Sequence, residues 1–448
     1  MKNILVLGAG QSSPYLISYL LNEAEKYDWK ITVCDMNLEL AESRINGHPK
    51  GKAMQFDVND EETRNSQIKN SDVVVNFLAP KFQYMIALDC LLFGKHVITA
   101  SYEHPNIPDL NNDAEKKGIL ILNEMGLDPG IDHMSAMKVI HDIKEKGGHI
   151  KSFVSYGSGI PAPEVKSNPL DYCITWNPRN IAMAGESGAQ YMEKGRIKQL
   201  SRRGIFQRTW DVEVEGIGRL EAYPNRDSLV YIDMFELNYV KTMIRGTLRY
   251  PGWSETWNQI VKLGMPNETL KVPGLADMTY AEYTEMFLSL NSSGSRLESR
   301  VANVLGISPT GNILNNLRYL GLFSDEKIGG DVQTSTDVLV KMLNSKMPLP
   351  KGARDVVILQ HEILAQYTEE NNRREKIIST LIEYGEPDGF TAISKTVGLP
   401  AAIAVKLLMK GELTERGCHI PVNREIYTPV LKELEAVGIR FVEKKFQQ

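Results

Sequence analysis

The sequence predicts an α/β protein: a doubly wound domain on a parallel sheet, followed by a second α+β domain built on a mixed, largely antiparallel sheet. Three observations lead there. Residues 1–125 alternate short apolar strands with helix-like stretches. A tight turn, Gly8-Ala9-Gly10, joins the first strand to the first helix. After Gly126 the texture changes to longer alternating segments carrying Phe153, Trp210, Tyr231 and Phe235.

The first domain is read as strands 4–7, 30–34, 53–58, 72–77, 96–100 and 119–123, each short and apolar. Helices are expected at 13–26, 37–46 and 83–93, with a short polar stretch at 61–70. Gly8 and Gly10 allow the backbone to turn sharply and to approach a pyrophosphate, and the N-terminus of the following helix favours its charge. The strict fingerprint wants a third glycine where Ser13 stands, followed by Pro14; a first-turn proline is tolerated and serine is small. Asp35 ends the second strand, where a carboxylate can accept both ribose hydroxyls of an adenosine, so NAD is favoured over NADP. The candidate cofactor set is Gly8, Gly10, Gln11, Ser12, Ser13 and Asp35, with Asp57 and Val58 at the end of the third strand and Leu78, Ala79 and Pro80 after the fourth.

Beyond Gly126, residues 133–146 read as a helix and 149–157, 208–216, 229–237 and 240–248 as strands. Helices follow at 277–290, 293–304, 309–321 and 333–345, then a strand at 354–362 and a polar turn at 367–375. Phe390 to Lys410 reads as a long apolar helix with Pro400 either inside it or beginning a turn, with a last helix at 427–437 and a strand-like run at 438–443. This final segment either returns to the first domain or forms a third one.

Composition bounds the function. The 448 residues suit two or three domains. Hydrophobic residues make up 42% and charged residues 24%, a globular mixture. A net charge of −5 with no basic block argues against nucleic acid as the main partner. No run approaching about 20 apolar residues and no cleavable signal is read, so no membrane role is expected. Cysteines at 34, 90, 173 and 418 are too scattered for a disulfide framework or a zinc cluster; a reducing cytoplasm and no metal are expected.

Candidate chemistry collects at strand ends and at the junction. Ser101 and Tyr102 follow the fifth strand, where they can hydrogen-bond substrate or the nicotinamide ribose; for Tyr102, simple packing is the competing reading. The run Asn123 to His133 contains Asp128-Pro129-Gly130, a tight turn. Asp128 is a candidate to orient or neutralise a substrate amine, Asp132 is read as a helix cap and His133 as structural. In 244–249 the period of two places Arg245, Thr247 and Arg249 on one face, and Arg226 precedes another strand segment. Arginine forks clamp carboxylates, so an acidic substrate is one reading and a solvated sheet face the other.

Several of these motifs together resemble one family. They are residues 123–133, Gly159-Ile160-Pro161-Ala162-Pro163, Asn168-Pro169-Leu170, Tyr223 to Ser228, Arg245 to Tyr250, Val397-Gly398-x-Pro400-x-Ala402-Ile403-Ala404 and Glu425-Ile426-Tyr427. In this order they resemble the saccharopine reductase (glutamate-forming saccharopine dehydrogenase) family over nearly the whole chain. The resemblance implies a dinucleotide-binding domain at 1–130, a substrate-binding and dimerisation domain at 131–389, a C-terminal return at 390–448, and a homodimer. It implies a small-molecule amino-acid substrate and interconversion of saccharopine, NAD(P)+ and water with L-glutamate, 2-aminoadipate 6-semialdehyde and NAD(P)H. Asp128 and Tyr102 are then the catalytic candidates, and Ser101, Tyr102, Asp128, Arg226, Arg245, Thr247 and Arg249 the substrate-binding set. NADP-using fungal members resemble one another in an arginine just after the second strand; here Asp35 is followed by Met36, and the first arginine beyond is Arg44. NAD is therefore expected, with NADP possible. Lysine 6-dehydrogenase or carboxynorspermidine dehydrogenase-like chemistry is the alternative enzyme reading, and a non-catalytic dinucleotide sensor the alternative outside catalysis.

Overall fold

The structure is a computed structural model describing residues 2–369 and 371–447. The chain divides into two compact units, one of residues 1–150 with 365–448 and one of residues 151–364. The divisions fall inside long strands rather than at the expected 130 and 389.

The first unit opens with β1 (Lys2–Leu7), α1 (Pro14–Tyr27), β2 (Trp29–Asp35), α2 (Leu38–Ile45), β3 (Gly51–Gln55), α3 (Glu61–Lys69), β4 (Val73–Asn76), α4 (Gln83–Phe93), β5 (His96–Thr99), α5 (Asn111–Lys116), β6 (Leu120–Leu122) and α6 (Ile131–Glu145). Caps explain several starts: Asn37 accepts from Leu40 N and Asp60 from Thr63 N, each satisfying an orphan donor of its helix. Leu5, Leu7, Val74, Val97 and Ile121 share a core with Ile68, Ile86, Ala87, Cys90 and Ala114. Burial on both faces is why these strands read as continuous apolar runs. The third strand spans 51–55, so Asp57 and Val58 lie just beyond it. α6 starts before the expected residue 133; its N-cap is Gly130, and Asp132 lies inside the first turn instead of capping it.

The second unit begins within β7 (Gly148–Pro161) and continues with α7 (Pro178–Ala182), β8 (Ala189–Glu193), β9 (Arg196–Leu200), β10 (Trp210–Val214), β11 (Gly218–Pro224), β12 (Arg226–Asp227), α8 (Val230–Met234) and β13 (Thr242–Arg249). Then come α9 (Trp253–Leu263), α10 (Tyr280–Glu285), α11 (Leu297–Leu305), α12 (Asn312–Leu320), α13 (Ser335–Lys346) and β14 (Asp355–Tyr367). Its sheet runs β10-β11-β13-β7-β14, with β8 pairing β9, β12 and β13 to one side. β10, β11 and β13 are antiparallel neighbours, and β13 and β7 are parallel. The sheet is thus mixed, with antiparallel pairs prevailing among these. The expected strand 229–237 is instead the short helix α8. Tyr231 and Phe235 are four residues apart and both buried, a spacing that suits one face of a helix as well as one face of a strand.

The chain re-enters the first unit through β15 (Arg373–Tyr384), α14 (Ala392–Lys410), β16 (Gly417–His419), α15 (Arg424–Ala436) and β17 (Val442–Gln447). β16 adds to β6, giving the order β16-β6-β5-β4-β1-β2-β3 with every pairing parallel. Without β16 this is the order of doubly wound nucleotide-binding sheets, whose ligands sit beyond the carboxyl ends of the strands. α14 passes Pro400 without stopping. It is long and apolar enough by composition to cross a membrane, and 89% of that stretch is buried within the protein. Burial of an apolar helix offsets one missing backbone hydrogen bond.

Candidate active site

The nucleotide turn is fixed by backbone geometry. Gly8 has φ 104°, and a Cβ there would stand 2.8 Å from the carbonyl oxygen of Phe77, so only glycine fits. Its N–H donates to Cys34 O at 2.8 Å, tying β1 to β2. A Cβ on Gly10 would meet nothing within 4 Å, leaving room beside the turn. Ser13 is buried and its hydroxyl donates to Gly10 O at 3.0 Å; as N-cap of α1 it makes no side-chain cap bond. Asp35 Oδ2 accepts from Ala9 N at 2.8 Å and Oδ1 from Asn37 N at 2.9 Å, so the carboxylate is aimed at the turn before any ligand arrives. Arg44 lies on the same turn, its Nε donating to Ala9 O at 3.2 Å. Gln11 is exposed and Ser12 half-buried. Leu78 N donates to Asn76 Oδ1 at 3.2 Å, and Ala79 and Pro80 are exposed at the end of β4. Asp57 is exposed and accepts from the backbone and side chain of Asn59, while Val58 is buried. An open glycine turn, a helix start without a side-chain cap and an oriented carboxylate fit a dinucleotide.

The loops after β5 and β6 lie side by side, held by Met125 N to Thr99 O at 2.9 Å and Glu124 N to Ser101 O at 3.1 Å. They bring together two residues chosen from sequence: the Tyr102 hydroxyl donates to Asp128 Oδ1 at 2.9 Å. Ser101 is half-buried beside them, its N–H on Thr99 Oγ1. The Asp128 turn closes on Gly130, whose φ is 144° and where a Cβ would lie 2.0 Å from Gly126 O.

Beneath this pair is a charged network that the sequence reading missed. Glu124 has φ 61° and is 4% exposed. His133, read as merely structural, contacts Glu124 Oε2 through Nε2 at 2.7 Å and Asp132 Oδ1 through Nδ1 at 3.1 Å. Burial alone would push the imidazolium down, but the carboxylates of Asp132 and Glu124 outweigh it and raise His133 to about 9. Burial and the neighbouring Glu124 charge push Glu103 up to about 7, against the hydrogen bond from Asn123.

In the second unit the arginines part company. Arg226 is exposed in a left-handed conformation at φ 50°. Arg245 is 3% exposed, stacked 4.4 Å over Tyr231 and donating to the Tyr231 hydroxyl at 2.6 Å. Arg249 is 4% exposed, lies over Tyr172 at 4.9 Å and donates to Leu248 O at 2.8 Å, while its Nε has no partner among the described residues. Thr247 is half-buried between them. The solvated-face reading therefore fails for Arg245 and Arg249. Tyrosine faces and hydrogen bonds hold these guanidinium groups inside the unit. Among the described residues no group of three or more His, Cys, Asp or Glu is placed to hold a metal.

A family model described as "Saccharopine dehydrogenase NADP binding domain" matches residues 4–122, and one described as "Saccharopine dehydrogenase C-terminal domain" matches residues 126–439. The chain belongs to the saccharopine dehydrogenase family. It is 32% identical to "Saccharopine dehydrogenase [NADP(+), L-glutamate-forming]" of Schizosaccharomyces pombe, over 99% of each chain. The enzyme of the same description from Saccharomyces cerevisiae is likewise 32% identical over 99% of both chains. A solved structure of the apo, histidine-tagged L-Glu-forming saccharopine dehydrogenase of Saccharomyces cerevisiae superimposes with a TM-score of 0.86 at 31% identity, covering 100% of each chain. Members of the saccharopine dehydrogenase family thus match this chain in both units, and the "NADP binding" model spans the turn and Asp35 described above.

Proposed function

We infer that the protein is an L-glutamate-forming saccharopine dehydrogenase, an NAD(P)-dependent oxidoreductase acting on a CH–NH group. The observation that carries this is end-to-end similarity to enzymes of that description, over 99% of both chains. The hydrogen-bonded Tyr102–Asp128 pair beyond the nucleotide-binding strands supports it. The reaction interconverts saccharopine, NAD(P)+ and water with L-glutamate, 2-aminoadipate 6-semialdehyde, NAD(P)H and a proton. Bound NAD(P)+ supplies the acceptor for the hydrogen and electron pair leaving the carbon next to the secondary amine.

The protein's own residues handle protons, charge and position. The amine must lose its proton before oxidation, and water must lose one as it adds to the resulting C=N bond. Asp128 is the acceptor we assign to these protons, and Tyr102, donating to it, relays or orients them. Saccharopine carries three carboxylates, and Arg226, Arg245, Thr247 and Arg249 are the donors assigned to them. Ser101 adds a hydroxyl beside Tyr102.

The substrate reading is tested by turnover on saccharopine, lysine and carboxynorspermidine, each with NAD+ and NADP+. Turnover confined to saccharopine is expected; lysine oxidation at a higher kcat/KM would replace the reading. We propose further that NAD is preferred. Asp35 presents a carboxylate, already oriented by two backbone N–H groups, where a 2′-phosphate would be repelled. A higher kcat/KM with NAD+ is expected, with Asp35→Ala weakening NAD+ use more than NADP+ use. A clear NADP+ preference in the unaltered enzyme would reverse this assignment and give Arg44 the phosphate. A homodimer is the assembly proposed, to be read by light scattering.

A further inference from the structure

His133 contacts two carboxylates that bind the loops bearing the Tyr102–Asp128 pair. It is the third residue of α6 and 1% exposed. Its two ring nitrogens face two different carboxylates, Glu124 at 2.7 Å and Asp132 at 3.1 Å. Each carboxylate passes the contact on to a backbone N–H in a loop bearing one member of the pair. Glu124 Oε1 accepts from Glu103 N at 2.9 Å, and Glu103 directly follows Tyr102. Glu124 N also donates to Ser101 O at 3.1 Å, so Glu124 brackets Tyr102 from both sides. Asp132 Oδ1 accepts from Gly130 N at 2.7 Å, closing the turn that starts at Asp128.

We propose that His133 is a positioning residue: through Glu124 and Asp132 its imidazole fixes the Tyr102 loop and the Asp128 turn in one register, and so holds the catalytic pair at hydrogen-bond distance. The chemistry requires both nitrogens. Two carboxylates can only accept, so a ring that donates to both must be the imidazolium. Glu124 holds a left-handed backbone that non-glycine residues rarely adopt, a conformation that persists where the surroundings over-determine it. Asn123 strengthens the same loop, its Nδ2 donating to Glu103 Oε1 at 3.0 Å while its Oδ1 accepts from Gln83 at 3.1 Å. A merely structural histidine would stabilise α6 and leave the separation of the two loops to other contacts.

This inference rests on the saccharopine reading for its kinetic arm and on amide exchange for its structural arm. The experiment compares the full-length enzyme with His133→Ala, His133→Gln and His133→Asn. Glutamine retains a donor near the Nε2 position, toward Glu124; asparagine retains one near Nδ1, toward Asp132. In His133→Ala we expect kcat to fall on the order of 100-fold, as small misplacements of catalytic groups do. Saccharopine KM and NADH affinity should change less than about threefold, because neither ligand site loses a contact. The glutamine and asparagine variants should each recover part of kcat. Amide exchange should speed up at Glu103 and Gly130 together in the alanine variant, at Gly130 chiefly in the glutamine variant and at Glu103 chiefly in the asparagine variant. An unchanged kcat in all three overturns the proposal, and so does a loss spread equally over kcat, KM and NADH affinity with no recovery by glutamine or asparagine. If the alanine variant does not fold, Glu124→Gln takes its place, with a loss of kcat of tenfold or more at constant NADH affinity expected and normal kcat overturning the idea. If the unaltered enzyme binds NADH but does not turn over saccharopine, the substrate reading has failed. The exchange pattern at Glu103 and Gly130 then decides the tether by itself.

Discussion

Arg226 is exposed at a left-handed φ, whereas Arg245 is buried on Tyr231, so the two arginines answer different questions when mutated. Removing Arg245 deletes packing and a buried charged hydrogen bond as well as any carboxylate contact, so lost activity would be mixed with lost stability. Arg226→Ala is the cleaner probe. We expect its saccharopine KM to rise about tenfold, near the lower end of what a hydrogen bond to a charged group contributes, with NADH affinity unchanged and a smaller drop in melting temperature than Arg245→Ala shows. Steady-state kinetics with a thermal melt checks this, and an unchanged KM removes Arg226 from the substrate set. At this scale the sequence was informative wherever a residue ended a strand. Asp35, Ser101 and Tyr102 were chosen because a parallel sheet places its ligands there, and Asp128 because a carboxylate at the junction can orient or neutralise a substrate amine. Glu103, Glu124 and His133 were missed because their partnership spans loops that nothing local connects, and the positive φ of Glu124 is a tertiary fact.

Among elements, α14 bears most directly on the cofactor turn. Gly398 faces α1 so closely that a Cβ would stand 2.9 Å from Leu16 Cβ, 3.0 Å from Leu16 N and 3.2 Å from Ser12 O. Backbone atoms at that range cannot move aside as a flexible side chain would. Tyr15 N also donates to Ser394 Oγ at 3.1 Å, so α14 seats the start of α1 as well as filling the core. Gly398→Ala is expected to push the helices apart at a cost of about 1–3 kcal/mol, typical of overpacking, and to weaken NADH binding by displacing the α1 N-terminus. A melting curve and an NADH titration check it; a normal melting temperature would mean the helix pair yields easily. The parallel strands were legible because burial on both faces makes short uninterrupted apolar runs. α9 was missed although Trp253, Trp257, Ile260 and Val261 repeat at helical spacing, and all four are buried. The β8–β9 hairpin was missed because its turn, Lys194-Gly195, joins strands that are largely polar and half-exposed. β15 begins in Arg373-Arg374-Glu375-Lys376, charges that read as a turn, and it pairs with β17, whose described residues are all exposed.

For the whole molecule, a few shifted groups in each unit tie stability to pH. In the second unit, burial would raise Asp337, but the Arg179 guanidinium and the backbone N–H groups of Gln333 and Thr334 overcome it and lower the carboxyl to about 2. A depressed acid stabilises above its unfolded value and loses that contribution as pH falls through the folded one, so this unit weakens below about pH 4. In the first unit His96, Glu103 and His133 are shifted within the range from about pH 4 to 9. His96 is lowered to about 4, by burial first and then by the Arg416 charge, so its contribution is lost as pH falls from about 6.5 to 4. Glu103, raised to about 7, contributes below its unfolded value and loses that as pH rises from about 4.5 to 7. These two windows overlap with opposite signs and nearly cancel. His133, raised to about 9, contributes fully below about pH 6.5 and loses it as pH rises through the folded value, with no opposing shift among these groups. The first unit should therefore melt at a nearly constant temperature from pH 5 to 6.5 and on the order of several degrees lower by pH 9. Because two units need not unfold together, the transition is followed by amide exchange in α6 and β6 rather than by a single optical melt. In His133→Gln the titrating ring is gone, so the slope between pH 7 and 9 should flatten while the acid side keeps its shape. A slope of the same size in that variant would show that another group carries the alkaline loss.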